Sequence, residues 1–515
     1  MHSIFQVALT ERMSSLDTVN SAASIPEACD VVVIGAGLGG LSCAAYLAKA
    51  GLKVLLVEKH YVPGGCCSSF SRKGYVFDAG AHYLSSCRPE GQVGRLLRDF
   101  GIRLDLQQCN PSDVLVTKQG DLFLKPGDAR QMCSDFERVF PKERANIGRF
   151  WSYVQDADAK RLYVELQGRT FQDILDQFFA DRNLKNALSI PLGNLGLPAS
   201  KAAALTSVFL YREYLLDGGY YPRGGMQVLP NAIAQKFKDL GGVLVLLTRA
   251  EAIRVGSSGS ISEVVLAYQG RQPFIVRTKY VVANCDPFQL YGNLLDVSTG
   301  VRSRLLKVLE GREASISCFM VHLGVKANLA RLSKYPCNVW YYPFEDVNEY
   351  YEGVLSGKVE FGGNNFVICS LPTLHDVPGE YPEKGTVHAI VGTPLMDRGF
   401  WDREKERLAD DLIERLDKFL CGVRKFIDVR AVATPYTLQK YTGNWRGAMY
   451  GWAAPPSAVG RCRFPEETSV DGLYLTGHWA GLPTGYSGIP TVVASGRRIA
   501  TRILMARRRF SSVVN

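Results

Sequence analysis

The stretch Asp30-Val-Val-Val-Ile-Gly-Ala-Gly-Leu-Gly-Gly40 decides how the N-terminal unit of this chain folds. It begins with an apolar run of strand type, continues with the spacing Gly-x-Gly-x-x-Gly, and leads into an amphipathic segment from Leu41 to Gly51. A second apolar run, Lys53 to Glu58, has the composition of a buried parallel strand and ends in an acid. The order of strand, glycine turn, helix and strand predicts a βαβ unit.

Each glycine of this unit has a physical role in binding a dinucleotide. Gly35 permits the tight turn, Gly37 lets a pyrophosphate approach the backbone, and Gly40 lets the helix lie close to the sheet. The free amides of the helix N-terminus face the diphosphate, and Glu58, 18 residues after Gly40, can accept hydrogen bonds from ribose hydroxyls. The predicted nucleotide-binding residues here are Gly35, Gly37, Leu38, Gly39, Gly40 and Glu58.

Length and composition exclude several classes of protein. With 515 residues, 46% of them hydrophobic and 21% charged, the chain can bury a large core and divides into two or three folding units. It is too rich in apolar residues to be disordered, and it has no repeat of a coiled coil or solenoid. The 13 cysteines have no paired CxxC spacing, which predicts a reducing compartment and no metal site.

The two ends of the chain differ from the middle. Residues 1–28 have no apolar core of signal-peptide length and predict a flexible extension. Six arginines and no acid lie between Arg497 and Asn515, a pattern that suits an anionic membrane surface, a solvated helix end or, less well, nucleic acid. The uncharged stretch Val31 to Ala48 has 18 residues, but its internal glycines argue against a membrane span.

A second glycine pair follows the acid of the βαβ unit and narrows the family. The segment Gly64-Gly65-Cys66-Cys67 precedes Phe77-Asp78-x-Gly80-x-His82-Tyr83. The pair resembles the flavoprotein amine oxidase superfamily, and both segments together resemble its phytoene desaturase, carotenoid isomerase and retinol saturase family. The resemblance implies FAD as cofactor, with Lys59, Gly64 and Gly65 among its contacts. We interpret Cys66 and Cys67 as small residues beside the diphosphate.

Later segments extend this resemblance over Cys29 to Leu504. Tyr220 to Gly242 resembles the family's turn and amphipathic helix, and Ala250 follows in a segment that meets the adenine in relatives. Asp471 to Thr491 resembles the C-terminal FAD motif, which implies that Gly477, Gly488 and Ile489 also contact the cofactor. The bulky residues between His478 and Tyr486 depart from relatives that desaturate phytoene, so that activity is not carried over.

The expected fold class is α/β, a Rossmann-type FAD-binding domain with an inserted α+β substrate domain. Three segments, 29–101, 220–293 and 431–504, are expected to form the FAD-binding domain, and 505–515 a basic tail. The substrate domain, 102–219 and 294–430, should carry a mixed sheet and a helical cap. Its predicted strands are Ser315–Leu323 and Thr386–Val391, and its predicted helices are Asp158–Asn186 and Ala199–Leu216.

The substrate side offers few groups for catalysis. No Ser/His/Asp or Cys/His set has recognisable spacing, which agrees with flavin chemistry, where the protein mainly orients the substrate. His82 and Tyr83 are the candidate catalytic residues because they follow the turn at Asp78, although His82 can equally be a hydrogen-bonded core histidine. The predicted pocket residues are Trp445, Trp452, Trp479 and Tyr486.

These features predict an FAD-dependent oxidoreductase acting on a polyene or isoprenoid lipid, by desaturation, saturation or cis-trans isomerisation. Two alternatives remain open: an amine oxidase-like flavoenzyme, and a non-catalytic lipid carrier of the Rab GDP-dissociation inhibitor type. We expect peripheral membrane contact on the cytoplasmic side, through the arginine-rich end and an apolar face at Leu205 to Leu216, and no nucleic-acid partner. One dinucleotide fingerprint leaves no separate NAD(P)H site, so a diffusible acceptor such as a quinone or oxygen is expected.

Overall fold

The computed structural model describes residues 25–127, 129–342, 345–357, 366–376, 382–485 and 487–514. Of the predicted N-terminal extension, 1–28, residues 1–24 lie outside the described residues. At its end, Ala28 pairs with Arg277 as an isolated parallel bridge. Within the described part of the chain, no helix is both long and apolar enough to cross a bilayer.

The predicted βαβ unit forms and supplies two strands of a five-stranded parallel sheet, whose other three strands come from later in the chain. Alternate residues of its first strand face opposite cores, so Val31 and Val33 pack on one side while Val32 and Ile34 pack on the other. All four are buried because helices or a second sheet cover both faces. The strand order is Leu473–Leu475, Tyr280–Ala283, Val31–Ile34, Val54–Val57 and Val243–Val245.

Both faces of this parallel sheet are covered. One face carries helices Leu38–Lys49, Val228–Asp239 and Ile489–Val514, which pack against one another. The other face packs on a four-stranded sheet whose strands, in spatial order, are Phe274–Arg277, Ile261–Tyr268, Thr248–Val255 and Leu295–Asp296. The predicted basic tail, 505–515, begins inside the C-terminal helix.

A seven-stranded mixed sheet forms the second half of the molecule. The two predicted strands extend over Ser317–Val325 and Gly385–Thr393 and pair antiparallel, while Asn338–Tyr341 runs parallel to Asp113–Thr117. The prediction of an α/β fold with a mixed sheet is thus confirmed. The strand order is Ile427–Ala433, Ser317–Val325, Gly385–Thr393, Val367–Ser370, Asn338–Tyr341, Asp113–Thr117 and Gly120–Leu124. The first of these strands spans the domain boundary predicted at residue 431.

A helical layer covers one face of the mixed sheet and shares its largest core. The segment predicted as one helix, Asp158–Asn186, belongs to three helices: Ala159–Glu165, Phe171–Phe178 and Arg182–Ser189. Ala199–Leu216 becomes helix Ala204–Leu210, followed by a π-helix, Tyr211–Leu216. Leu205 and Leu210 have no exposed surface. The prediction that this apolar face contacts a membrane is therefore wrong, because the face packs in the core.

The remaining elements connect these layers. Two small sheets pair Ser69–Arg72 with Tyr75–Asp78 and Leu106–Cys109 with Gly219–Pro222. The other α-helices are Gln92–Phe100, Ala129–Val139, Arg144–Asp156, Pro287–Gln289, Thr299–Lys307, Leu329–Leu332, Val347–Leu355, Thr373–Asp376, Arg398–Leu416 and Pro435–Thr442. A π-helix spans Leu290–Leu294, and the 3-10 turns are Gly65–Cys67, Pro141–Glu143, Ile190–Asn194, Val423–Phe426, Trp445–Gly447, Pro456–Ala458 and Gly460–Cys462.

Candidate functional site

Two glycine loops meet at the N-terminus of the first helix. Gly37, the residue before helix Leu38–Lys49, pairs with Gly64, whose amide donates to the carbonyl of Ala36 at 2.8 Å. A Cβ atom built on Gly65 would lie 3.2 Å from the Cα atom of Gly37. The two loops therefore approach backbone to backbone, and this contact depends on the absence of side chains.

Asn284 ties these loops to the next strand of the parallel sheet. It follows strand Tyr280–Ala283, and its amide donates to the carbonyl of Ile34 at 2.9 Å. Its side-chain Nδ2 donates to the carbonyl of Gly35 at 3.1 Å. A Cβ atom on Gly37 would lie 2.9 Å from that Nδ2 atom. Asn284 is not among the residues predicted from the sequence, although a polar residue at the carboxyl end of an apolar parallel strand is a signal for a site.

The C-terminal motif closes the same region. Gly477 follows strand Leu473–Leu475, and a Cβ atom on Gly39 would lie 2.7 Å from its Cα atom. Helix Ile489–Val514 begins directly after Gly488 and packs along the first helix, where Ser42 Oγ donates to the carbonyl of Val493 at 2.9 Å. The structure thus brings Gly477 into contact with the first glycine turn, while Gly488 and Ile489 lie at the start of the adjoining helix.

Glu58 lies at the end of the second strand and faces the glycine turn. Its two carboxylate oxygens accept hydrogen bonds from the backbone amides of Ala36, at 2.7 Å, and His60, at 2.9 Å. Burial raises the pKa of this carboxyl group. Since a carboxylate has about four acceptor positions, two remain for further donors such as ribose hydroxyls.

Lys59 and Ala250 flank Glu58. Burial lowers the pKa of Lys59, and a Cβ atom on Gly443 would lie 3.0 Å from its Nζ atom. The carbonyl of Glu58 accepts a hydrogen bond from the amide of Thr248 at 2.8 Å, so the strand that carries Ala250 begins beside Glu58. Lys59 and Ala250 therefore both lie close to Glu58 in the candidate site.

This arrangement fits a dinucleotide such as FAD. No side chain caps the helix at Gly37, so the amides of its first turn are available to a diphosphate. The glycines of both loops leave room for a close approach to the backbone, and Glu58 retains acceptor positions for a ribose. The residues that would hold the nucleotide come from four separate parts of the chain, which the parallel sheet brings together.

The three tryptophans that were predicted to line the pocket form one aromatic cluster around Phe288. Trp445 stacks on Phe288 with ring centroids 4.8 Å apart, whereas Trp452 and Trp479 lie 5.7 and 6.3 Å from it. The ring of Trp479 is buried, and that of Trp445 is 46% exposed. The structure thus brings the three tryptophans together, and the fourth predicted pocket residue, Tyr486, lies outside the described residues.

Asn444 and Asp286 fix this cluster. Asn444 Oδ1 accepts a hydrogen bond from Trp479 Nε1 at 2.9 Å. Asp286 accepts hydrogen bonds from the backbone amides of Phe288, at 2.6 Å, and Trp445. Burial raises the pKa of Asp286 to about 6. The Asp-Pro pair at 286–287, an N-cap followed by a proline, is a signal that could have identified this turn from the sequence.

His82 and Tyr83 point to different surroundings. Tyr83 is buried, and its hydroxyl donates to Asp113 Oδ2 at 2.9 Å, so it joins the segment after Asp78 to the mixed sheet. His82 is 9% exposed, and neither of its ring nitrogens has a hydrogen-bond partner among the described residues. Burial lowers its pKa, which favours the neutral imidazole. A catalytic role for either residue stays a prediction.

Comparison with known proteins gives matches over nearly the whole chain. A family model described as flavin containing amine oxidoreductase matches residues 38–504. The all-trans-retinol 13,14-reductase of Rattus norvegicus is 24% identical over 520 residues, covering 90% of this chain and 85% of the relative. The chloroplastic prolycopene isomerase of Daucus carota is 25% identical, with 87% and 76% coverage. The neurosporene-forming phytoene desaturase of Rhodobacter capsulatus is 27% identical, with 92% and 93% coverage.

Among solved structures, an oxidoreductase from Methanosarcina mazei superposes with a TM-score of 0.66. The two chains are 16% identical, and the superposition covers 91% of this chain and 99% of the other. At this level of identity the similarity establishes a shared fold.

Proposed function

This chain belongs to the flavin containing amine oxidoreductase family, and from that premise we propose that it reduces, desaturates or isomerises carbon–carbon bonds of a polyene lipid. The family resemblance inferred from the sequence is confirmed, and FAD is the cofactor. Three relatives are named for reactions of retinol, prolycopene and phytoene. These names support a hydrophobic polyene as the substrate.

The observation that carries the proposal is the convergence of glycine backbones beside Glu58. Gly37 pairs with Gly64, and Gly39 contacts Gly477 so closely that a Cβ atom has no room. A turn with a purely structural role does not require glycines from three distant parts of the chain to meet so closely. Together with the uncapped helix N-terminus it supports a diphosphate at this position.

We assign the cofactor contacts by position. The diphosphate would lie against Gly37 and Gly64, the adenosine ribose against Glu58, and the flavin end toward Gly477 and the C-terminal helix. When bound, FAD supplies a ring that accepts or returns a hydride. The protein's part is to bind and orient the substrate against that ring, to exclude water, and to hold the ring through backbone groups.

The mixed sheet supplies an apolar floor for such a substrate. Met320 is directly opposite Ile390, which in turn is opposite Ile368, and all three side chains belong to the buried core. Cys66, next to the second glycine pair, is exposed, yet surrounding protein raises the pKa of its thiol. Cys66 also contributes to the raised pKa of Cys318, which places the second glycine pair near the mixed sheet.

Membrane contact and the electron acceptor are further parts of the proposal. The net charge of +10 and the six arginines from Arg497 to Arg509 support a salt-sensitive contact with an anionic surface. Part of this charge is already neutralised, since Arg498 and Arg507 pair with Glu466 and Asp30 at 2.6 and 3.4 Å. A membrane quinone or oxygen is the natural acceptor for a desaturase without a second nucleotide site.

An anaerobic assay with the purified flavoprotein separates the three reactions. Desaturation should stop without an added acceptor and resume with a quinone, saturation should require a supplied reductant, and isomerisation should proceed on pre-reduced enzyme alone. A protein that purifies without flavin and binds polyene would be a carrier, and oxidation of amines in place of polyenes would make it an amine oxidase. Stoichiometric NADPH consumption with saturable nucleotide binding would contradict the single-nucleotide-site proposal.

A further inference from the structure

A row of polar side chains crosses one face of the mixed sheet. His322 is directly opposite His388, and His388 is directly opposite Ser370 on the next strand. Val339 pairs with Cys369, which places Asn338 opposite Ser370, and Asn338 is in register with Asp113. Because directly opposed residues share a face of a sheet, the five side chains form one continuous row. We call His322, His388, Ser370, Asn338 and Asp113 the polar row.

The polar row is buried, and four of its five residues carry a side-chain atom without a hydrogen-bond partner among the described residues. Each of its residues is at most 3% exposed. Among the described residues, four of its atoms have no partner: His322 Nδ1, His388 Nε2, Ser370 Oγ and Asn338 Nδ2. Buried polar atoms are nearly always hydrogen-bonded, and leaving one unpaired destabilises the fold. A group held at this row therefore has four unused atoms to bind.

A further histidine, His82, lies near the polar row, and His375 lies near His82. His82 is close enough to His388 and His375 to alter their pKa values. Both ring nitrogens of His82 and Nε2 of His375 are buried without a partner in the described part of the chain. Phe77 covers the other end of the row, with its ring centroid 5.9 Å from that of His322. The row is thus enclosed by the ring of Phe77 and by histidines that also present unused polar atoms.

The charge of this enclosure selects among possible ligands. Burial lowers the pKa of His322 and His375 to about 4 and holds that of His388 well below its usual value, so these imidazoles are neutral at physiological pH. A neutral imidazole donates at one nitrogen and accepts at the other. Asp113, at the end of the row, already accepts from Tyr83 and Trp340 Nε1, both at 2.9 Å. The enclosure therefore suits an uncharged group that both donates and accepts, and disfavours a carboxylate.

The same face of the sheet leads from the polar row toward the cofactor loops. Cys318 lies four residues before His322 on one strand and shares its face, which places it roughly 13 Å away at about 3.4 Å per residue. The apolar residues Met320 and Ile390 lie between them. Cys66, next to the second glycine pair, is near enough to Cys318 to contribute to its raised pKa. A molecule with a polar end on the row and an apolar chain over Met320 would extend toward the cofactor loops.

We infer that the polar row, with His82 and His375, binds a hydroxyl group at one end of the substrate, so that this enzyme takes a polyene alcohol in preference to a pure hydrocarbon or an acid. This inference rests on the proposed function and defines its substrate class. The observation behind it is the set of buried, unpaired polar atoms in register on a floor that is otherwise apolar. The hydroxyl would donate to and accept from the neutral imidazoles and Ser370 and would anchor the chain in one direction.

The test is a binding titration on the flavin-loaded protein, followed by the change in flavin absorbance. The probes are all-trans-retinol, the hydrocarbon in which hydrogen replaces its hydroxyl, and all-trans-retinoic acid. We expect retinol to bind at least tenfold more tightly than either analogue. Ser370→Ala removes an oxygen that has no partner, so the fold should persist, and retinol should bind threefold to tenfold more weakly while binding of the hydrocarbon is unchanged.

A matched control is Ser189→Ala, which alters a buried serine in helix Arg182–Ser189 whose Oγ donates to the backbone carbonyl of Lys185 at 2.8 Å. It should leave the preference for retinol unchanged. A second variant, His388→Leu, should abolish the preference. Equal affinity of the wild-type protein for the alcohol and the hydrocarbon would overturn the inference and leave the proposed function intact. Failure to bind any of the three probes would contradict both.

Discussion

The side-chain amide of Asn284 donates a hydrogen bond to the carbonyl of Gly35 at 3.1 Å, and this contact joins two neighbouring strands where the first glycine turn begins. A Cβ atom built on Gly37 would lie 2.9 Å from the Nδ2 atom of Asn284, and one built on Gly39 would lie 3.0 Å from its Oδ1 atom. Asn284 therefore fixes the turn and lies against the two glycines that would face the diphosphate. We propose that it positions the turn for the cofactor.

Replacing Asn284 by alanine should weaken FAD binding several-fold. The variant loses one hydrogen bond, worth about 0.5–1.5 kcal/mol, and leaves the turn less well fixed. Flavin retained after dialysis, measured by absorbance, gives the comparison. The exposed Asn183→Ala is the control and should retain flavin like the wild type. If both variants retain equal amounts of flavin, Asn284 does not contribute to the cofactor site.

Replacing Gly37 by alanine should abolish flavin binding while the protein still folds. The backbone at Gly37, with φ of −64° and ψ of 167°, is open to alanine, and the added Cβ atom would meet only the end of the Asn284 side chain. The methyl group would nevertheless keep a diphosphate from the backbone. Circular dichroism checks the fold, and flavin content checks the binding.

Gly148→Ala is the control for this experiment. Gly148 lies in helix Arg144–Asp156, and no atom lies within 4 Å of a Cβ atom built on it. This variant should keep its flavin and gain up to about 1 kcal/mol of stability, because alanine favours a helix. A Gly37→Ala protein that retains flavin would place the diphosphate elsewhere.

Replacing Glu58 by glutamine should weaken FAD binding by at least tenfold. The charged carboxylate makes hydrogen bonds worth about 1.5–3 kcal/mol each, and the amide cannot accept at both of its ends. Glu251→Gln, an exposed change on strand Thr248–Val255, is the control. Titration of each apoprotein with FAD measures the affinity. Unchanged affinity in Glu58→Gln would show that Glu58 does not bind the ribose.

Asp286 should make the stability of the protein depend on pH between about 4 and 6. Its pKa is raised from 3.8 to about 6 by burial, so the folded state holds the proton more tightly than the unfolded state. The free energy of unfolding should therefore fall as the pH rises through this range, by up to about 3 kcal/mol, and the loss persists above pH 6. Urea unfolding at several pH values shows the slope.

Asp286→Asn provides the comparison because it cannot ionise. The difference between the unfolding free energies of the wild-type and variant proteins should change across pH 4–6 and be constant above it. A constant difference over the whole range would show that Asp286 ionises normally in the folded protein.

Local sequence patterns predicted those parts of the fold whose partners are close in the chain. The βαβ unit matches the pattern, with strands at Val31–Ile34 and Val54–Val57 and a helix at Leu38–Lys49. Glycine spacing and hydrophobic periodicity set these elements directly. Ser317–Val325 was likewise predicted to within two residues at each end.

The residues that sequence reasoning missed depend on contacts across long distances in the chain. Asn284 meets Gly35 across 249 positions, and its role follows from the order of the parallel strands. The pairing of His322 with His388 depends on strand register, which neither strand determines alone. The apolar face at Leu205 was predicted to contact a membrane because its cover, the helical layer, could not be predicted from the segment itself.

The most direct test of the central claim is mass analysis of a polyene after anaerobic incubation with the flavin-loaded protein, in its oxidised and its reduced form. All-trans-retinol and phytoene are suitable probes, and chromatography of the products resolves geometric isomers. The account predicts one of three changes: loss of two hydrogens with oxidised protein, gain of two hydrogens with reduced protein, or a changed double-bond geometry at constant mass. A polyene that is unchanged under both conditions, while the same preparation oxidises an amine, would contradict it.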